Sequence, residues 1–168
     1  MTTAAAKLSV LFVCLGNICR SPTAHGVFAT LVEKSGYSEL ISVDSAGTGD
    51  WHLDHAPDKR TTQVAASKGY DLSTLRARLV TSADFAQFDY IIAMDNANLK
   101  DLREMQPQGY AGHLGLFLDF SEQSAVEEVP DPYYGGEEGF EQVFDLIEEA
   151  SQGLLRHIQS RHPEALGS

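Results

Sequence analysis

Residues Leu8–Pro22 read LSVLFVCLGNICRSP. The first seven, Leu8–Cys14, are a short apolar run rich in β-formers, as expected of a strand buried on both faces. Ser21-Pro22 then reads as a helix start, with Ser at the cap and Pro at the first helical position. Ala24, Val27, Phe28, Leu31 and Val32 follow at i, i+3, i+4, i+7 and i+8, which is one apolar face of an amphipathic helix. Gly36 is placed to end it. The stretch is therefore strand, short loop, helix.

The pattern repeats along the chain. Ile41–Ala46 reads as a second strand closed by Gly47 and Gly49, and Pro57–Lys68 as a second helix stopped at Gly69. Asp89–Met94 is a third buried strand, Asn96–Met105 a short helix, and Gly115–Phe120 a fourth strand. Ser121–Gly139, with Pro130, Pro132 and three glycines, reads as a long loop. Phe140, Val143, Phe144, Ile147, Leu154, Leu155 and Ile158 mark a closing helix. Alternating strands and helices predict an α/β fold with a parallel sheet. Ligands bind such sheets beyond the carboxyl ends of the strands, which directs attention to the residues after Cys14.

Length and composition agree with one domain. The chain has 168 residues, 43% of them apolar and 21% charged, enough for one core at roughly 100–200 residues per domain. No repeat, linker or low-complexity segment divides it. A single catalytic domain over 1–168 is expected, with 1–7 and 163–168 as flexible ends. No apolar run reaches the roughly 18 residues of a membrane helix, and Val10–Cys14 is too short for a signal-peptide core. The expected location is the cytoplasm, with no membrane partner. The net charge of -12 argues against a nucleic-acid partner. No Lys or Arg falls between Glu104 and Leu155, while half of the acids do. That imbalance reads first as a solvated acidic face that favours solubility, and second as a face for a basic partner. His52 and His55 form an HxxH with no second pair to complete a zinc site, so no metal is expected.

The loop after Cys14 carries the chemistry. Inward-pointing N–H groups in such a loop form an anion cradle, and a helix N-terminus adds roughly half a positive charge. Gly16 permits a positive φ and Asn17 tolerates one. Arg20 offers a planar fork that matches two phosphate oxygens. A thiol at the floor of this cradle is expected to ionise more easily and to be a nucleophile aimed at phosphorus. By itself, a cysteine at the end of a buried strand is a small core residue, and Ser21 is a helix cap. The full string Val13–Pro22 is what favours the phosphate reading. Attack also needs an acid for the leaving oxygen. Asp131, between Pro130 and Pro132, is the candidate, with Tyr133 and Tyr134 as walls for an aromatic group.

Val13–Pro22 and Asp131–Tyr134 together resemble the low-molecular-weight protein tyrosine phosphatases, a bacterial-type member in particular. The likeness runs from about Leu8 to Ile158. It includes Val43–Gly47, the Trp51 region, Ala77-Arg78 and Phe88–Asp95. It implies a four-stranded parallel sheet with helices on both faces. It also implies metal- and cofactor-free hydrolysis of phosphotyrosine through a cysteinyl-phosphate. Carried over, Cys14 is the nucleophile, Arg20 clamps the phosphoryl oxygens, and Asp131 is general acid and then base. Leu15, Gly16, Asn17, Ile18, Cys19 and Arg20 supply the N–H cradle. Ser21 stabilises the leaving thiolate, and Asn17 shapes the loop with Ser45 as a partner. Trp51, Tyr133 and Tyr134 line the slot. A reversible Cys14–Cys19 disulfide under peroxide is expected, and the two tyrosines are phosphorylation targets in some relatives. The substrates implied are phosphotyrosine proteins, a tyrosine kinase among them, and a monomer is expected.

Three positions depart from the pattern. Leu75 stands where many members have a His that supports the loop asparagine, Leu79 where many have Gln, and His25 where many have Glu. Two rival functions share the loop. An arsenate reductase of the same fold would relay a disulfide through further cysteines, and none follows Cys19. A binding-only phosphate module would not need Cys14, Arg20, Ser21 and Asp131 together.

Overall fold

The sheet grows outward from β1 (Leu8–Cys14), which pairs in parallel on both sides. A computed structural model describes residues 8–49, 53–121, 126–132 and 137–163. β2 (Ile41–Gly47) lies on one side in the register Phe12↔Ser45 and Cys14↔Gly47. β3 (Tyr90–Ala93) lies on the other in the register Phe12↔Ile92, and β4 (His113–Leu116) pairs with β3. The order β2-β1-β3-β4 is all parallel. The chain leaves β1 in one direction for β2 and reaches β3 in the other. The carboxyl ends of β1 and β3 therefore flank the crevice where such sheets bind ligands.

Strand alternation sends side chains to two cores. Val10, Phe12 and Cys14 join Tyr90 and Ile92 on one face, under α1 (Arg20–Lys34) and α5 (Glu137–Arg161). Leu11 and Val13 join Ile91 and Ala93 on the other, under Phe85 of the short α3 (Asp84–Gln87) and Leu99 and Leu102 of α4 (Asn96–Met105). Burial on both faces explains why β1 has no polar alternation beyond Ser9. Phe12 is fully buried and meets Phe28 edge-on at 5.7 Å and Phe117 at 5.0 Å. Burying such a side chain is worth about 1.5–3 kcal/mol.

Several boundaries differ from expectation, each for a physical reason. The fourth strand was expected over Gly115–Phe120. It is His113–Leu116, and Phe117–Phe120 is a 3₁₀ turn. Ala93, the last residue of β3, pairs with Leu116, so the chain beyond has no strand to bond, and Phe117 turns into the core. The expected long loop Ser121–Gly139 is shortened, because α5 already begins at Glu137. α2 (Lys59–Ser67) starts after Asp58, whose carboxylate accepts from the Arg60 N–H at 2.8 Å. Helix α1 begins at Arg20, one residue before the expected cap. Cys19, not Ser21, is the N-cap residue, and it makes no side-chain cap bond. Gly36 follows the C-cap with φ 81, as its position predicted.

Candidate active site

The loop Leu15–Cys19 joins the end of β1 to the start of α1, and neighbouring main chain pins it from outside. The Cys14 carbonyl accepts from Thr48 N–H at 2.9 Å, that of Leu15 from Gly49 at 2.9 Å, and that of Ile18 from Asp58 at 2.8 Å. With these carbonyls bonded outward, the loop amides are left for an anion. The positive φ needed for the turn falls on Asn17, at 56°, and not on Gly16. Asn is one of the few side chains that accept that region. Gly47 makes the tight closure possible, because a Cβ there would stand 2.7 Å from the Leu15 carbonyl oxygen and 3.1 Å from the Asn17 nitrogen.

Cys14 lies at the floor of this loop, buried. The Asn17 N–H donates to its sulfur at 3.3 Å, and Ser21 Oγ lies 3.0 Å from it. The Ser21 hydroxyl has one proton and two acceptors, Cys14 Sγ and the Ala46 carbonyl at 3.3 Å. A thiolate draws that proton; a thiol donates its own and releases the hydroxyl to Ala46. Asn17 Nδ2 donates to the same Ser21 oxygen at 2.7 Å, which fixes the hydroxyl under the sulfur.

Arg20, also buried, reaches across to the end of β3. Its Nη1 donates to Asp95 Oδ2 at 2.5 Å and to the Val129 carbonyl at 3.0 Å, and its Nη2 lies 3.6 Å from Asp131 Oδ2. Burial alone would weaken its charge. The Cys14 sulfur, Asp95 and Asp131 outweigh that and raise its pKa above the ordinary value. Asp95 works twice, since its other oxygen caps α4 through the Asn98 N–H at 2.8 Å. The Val129 N–H donates to the Met94 carbonyl at 2.8 Å, which ties the segment before Asp131 to the sheet. Asp131 itself is partly exposed.

The structure thus brings together Cys14, Asn17, Arg20, Ser21 and Asp131. The Ser45 hydroxyl lies 3.0 Å from His25 Nδ1, while the Asn17 side-chain amide nitrogen donates to Ser21. Asn17 Oδ1 instead accepts from the Arg78 N–H at 3.0 Å, a main-chain bond that does not depend on the histidine that Leu75 replaces. Cys19 packs with Ile18, Ala77 and Phe140 beneath the loop. Burial pushes its thiol up to about 12, against a hydrogen bond with Thr61. Trp51, Tyr133 and Tyr134 lie outside the described residues. Both cysteines are free, and no His, Cys, Asp or Glu cluster among the described residues forms a metal set.

Sequence reasoning missed Asp95, the Val129 carbonyl and the Arg78 N–H. Only Asp95 had a readable signal. An Asp at the head of Asp95-Asn96-Ala97-Asn98, just past a buried strand, is a helix cap at the same sheet edge as Cys14.

A parallel α/β sheet with a cysteine at the end of β1, an arginine at the start of α1 and between them a loop whose amides are free to face an anion has the architecture of a phosphate-loop protein. The family model for low molecular weight phosphotyrosine protein phosphatase matches residues 9–164. A relative of that description from Schizosaccharomyces pombe is 43% identical over 153 residues, 90% of this chain and 97% of the relative. The crystal structure of YfkJ from Bacillus subtilis superposes with a TM-score of 0.89 at 41% identity, covering 95% of this chain and 99% of that one. A drosophila arginine phosphatase superposes with a TM-score of 0.85 at 33% identity, covering 90% of this chain and 98% of that one. The chain belongs to the low molecular weight phosphotyrosine protein phosphatase family, whose members are hydrolases.

Proposed function

We propose that Cys14, Arg20 and Asp131 carry out phosphotyrosine hydrolysis in this chain. The observation that supports it most is the sulfur of Cys14, held by Asn17 N–H and Ser21 Oγ, with the buried Arg20 at the start of α1. The Cys14 thiolate attacks phosphorus and the bond to the aryl oxygen breaks. Asp131 gives its proton to that oxygen, which leaves as the tyrosine hydroxyl. The resulting Asp131 carboxylate takes a proton from water. The water oxygen attacks the cysteinyl-phosphate, the S–P bond breaks, and inorganic phosphate and the thiolate leave. Arg20 and the amides from Leu15 to Arg20 hold the equatorial oxygens. Positioning and charge are most of what phosphoryl transfer requires. Ser21 donates to the sulfur as it departs.

Trp51, Tyr133 and Tyr134 line the slot in this reading, on the strength of the family resemblance. Two free cysteines suit a reducing compartment, which supports the cytoplasm. The substrate is a phosphotyrosine protein, with a tyrosine kinase as one candidate. No helix among the described residues is long and apolar enough to cross a membrane.

The test is steady-state hydrolysis of a phosphotyrosine peptide and of phosphoarginine, in excess EDTA. Turnover of the peptide is expected, lowered about 10⁴-fold or more by Cys14→Ser and about 10²–10⁴-fold by Asp131→Asn. Preference for phosphoarginine would overturn the substrate, and an active Cys14→Ser would overturn the nucleophile.

A further inference from the structure

The Arg78 side chain bonds Asp44 and Asp84, yet both groups that touch the Cys14 sulfur lead back to this residue. Its side chain joins two elements. Nη1 and Nη2 donate to Asp84 Oδ2 and Oδ1 at 3.1 and 3.0 Å, a fork on fork at the start of α3. Nε and Nη2 donate to Asp44 Oδ2 of β2 at 3.2 and 3.1 Å. Two-pronged pairs of this kind fix orientation as well as charge. Asp84 is buried and also accepts from the Thr81 N–H at 2.8 Å, so the outer end of the fork is rigid.

The main chain of Arg78 is held equally firmly. Its carbonyl accepts from Gly47 N–H at 2.8 Å, and Val80 N–H donates back to the Gly47 carbonyl at 2.8 Å. Residues 78–80 therefore lie as a short bridge along the edge of β2. The N–H of Arg78 points the other way, to Asn17 Oδ1 at 3.0 Å. Asn17 is the loop residue with positive φ, and its own N–H and its Nδ2 address Cys14 Sγ and Ser21 Oγ.

We propose that Arg78 is a positioning residue for Cys14. Its fork between Asp44 and Asp84 fixes the main-chain N–H that anchors Asn17, and through Asn17 it aligns both donors to the sulfur. The inference rests on the role of Cys14 proposed above. It also explains how the loop asparagine is held although Leu75 offers no hydrogen-bonding side chain. Arg20 and Cys19 are the other titratable groups coupled to Cys14, and Arg20 is itself paired with Asp95 and Asp131, whereas the ion pairs of Arg78 go to Asp44 and Asp84.

The experiment measures the pH dependence of Cys14 alkylation by iodoacetamide, located by fragment masses. It is combined with kcat, KM and thermal midpoint for wild type, Arg78→Met, Arg78→Lys and Asp44→Asn. Arg78→Met is expected to shift the alkylation profile to higher pH. Reactivity at pH 6 should fall about tenfold, the scale of one lost hydrogen bond to a charged sulfur, and kcat should fall with KM little changed. Arg78→Lys, a point charge that cannot fork onto both carboxylates, should fall between Met and wild type. A folded Arg78→Met with wild-type alkylation and kcat overturns the proposal, whatever its midpoint. If Arg78→Met does not fold, Asp44→Asn decides, since it takes the charge from the arm to β2 and leaves the pair with Asp84 in place. A smaller shift in the same direction supports the proposal, and no shift overturns it. A wild type that needs no Cys14 for turnover would instead defeat the nucleophile assignment, a separate result.

Discussion

The two cysteines that bracket the loop are chemically unlike although only four residues separate them. Cys14 receives an N–H and a hydroxyl at its sulfur. Cys19 caps α1 inside an apolar cluster, and burial pushes it up to about 12. Disulfide formation after Cys14 is oxidised to the sulfenic acid needs the Cys19 thiolate as attacker. If Cys19 resolves the sulfenic acid, it is expected to do so slowly at neutral pH, and the Cys14–Cys19 bond should form faster by up to about tenfold per pH unit below 12. Intact-mass kinetics after a peroxide pulse at several pH values read this as loss of two hydrogens. Oxygen adducts that accumulate at every pH, with no bond formed, would remove Cys19 as the resolving thiol. The thiol types were legible in the sequence, but the contrast between them was not. It arises from Ala77 and Phe140, which are distant in the chain.

Helices and strands were legible where their own residues decide them. Asn96–Met105 was read as a helix, and the structure adds its cap, the Asp95 carboxylate, which accepts from the N–H of Asn98, the third helical residue. The fourth strand was misread because Gly115–Phe120 is apolar but for Asp119, while the strand's length is set by a partner, β3, which stops at Ala93. Packing of α5 on the 3₁₀ turn was equally hidden. Gly153 allows it, since a Cβ there would stand 1.8 Å from the Phe120 carbonyl oxygen. Gly153→Ala usually favours a helix, but here the obstacle is main chain. The substitution is expected to lower stability by about 1–3 kcal/mol, as overpacking does. Urea unfolding measures it, and a variant as stable as wild type would show that the turn yields freely.

At the scale of the molecule, acid sensitivity follows from three histidines. Burial lowers the pKa of His25, His113 and His157 below the ordinary 6.5; Arg78 adds to this at His25 and Arg161 at His113, while neighbouring histidines add to it at His157. The unfolded chain therefore binds more protons near this pH than the folded one, so stability rises with pH. Stability is fully present above about 6.5 and is lost as pH falls through the lowered folded values. The thermal midpoint should drop between pH 7 and 5.5, and the combined change of His25, His113 and His157 to Gln should flatten that slope. A midpoint that is level or rises toward pH 5.5 in the wild type would refute the assignment.

The sequence alone determined the strand–loop–helix unit around Cys14, the parallel α/β class and the family. These follow from local periodicity, from turn residues and from one contiguous motif. It also singled out Arg20 and Asp131, because their residue types and spacing are specific. Tertiary structure decided what holds those groups. Asp95, the Val129 carbonyl and the Arg78 N–H reach the site from separate segments, and two of the three are main-chain atoms with no residue-specific signature. It likewise gave Ser45 to His25 and Asn17 to Arg78. A hydrogen bond between distant segments depends on how the strands lie side by side, and the sheet order β2-β1-β3-β4 is what brings them together.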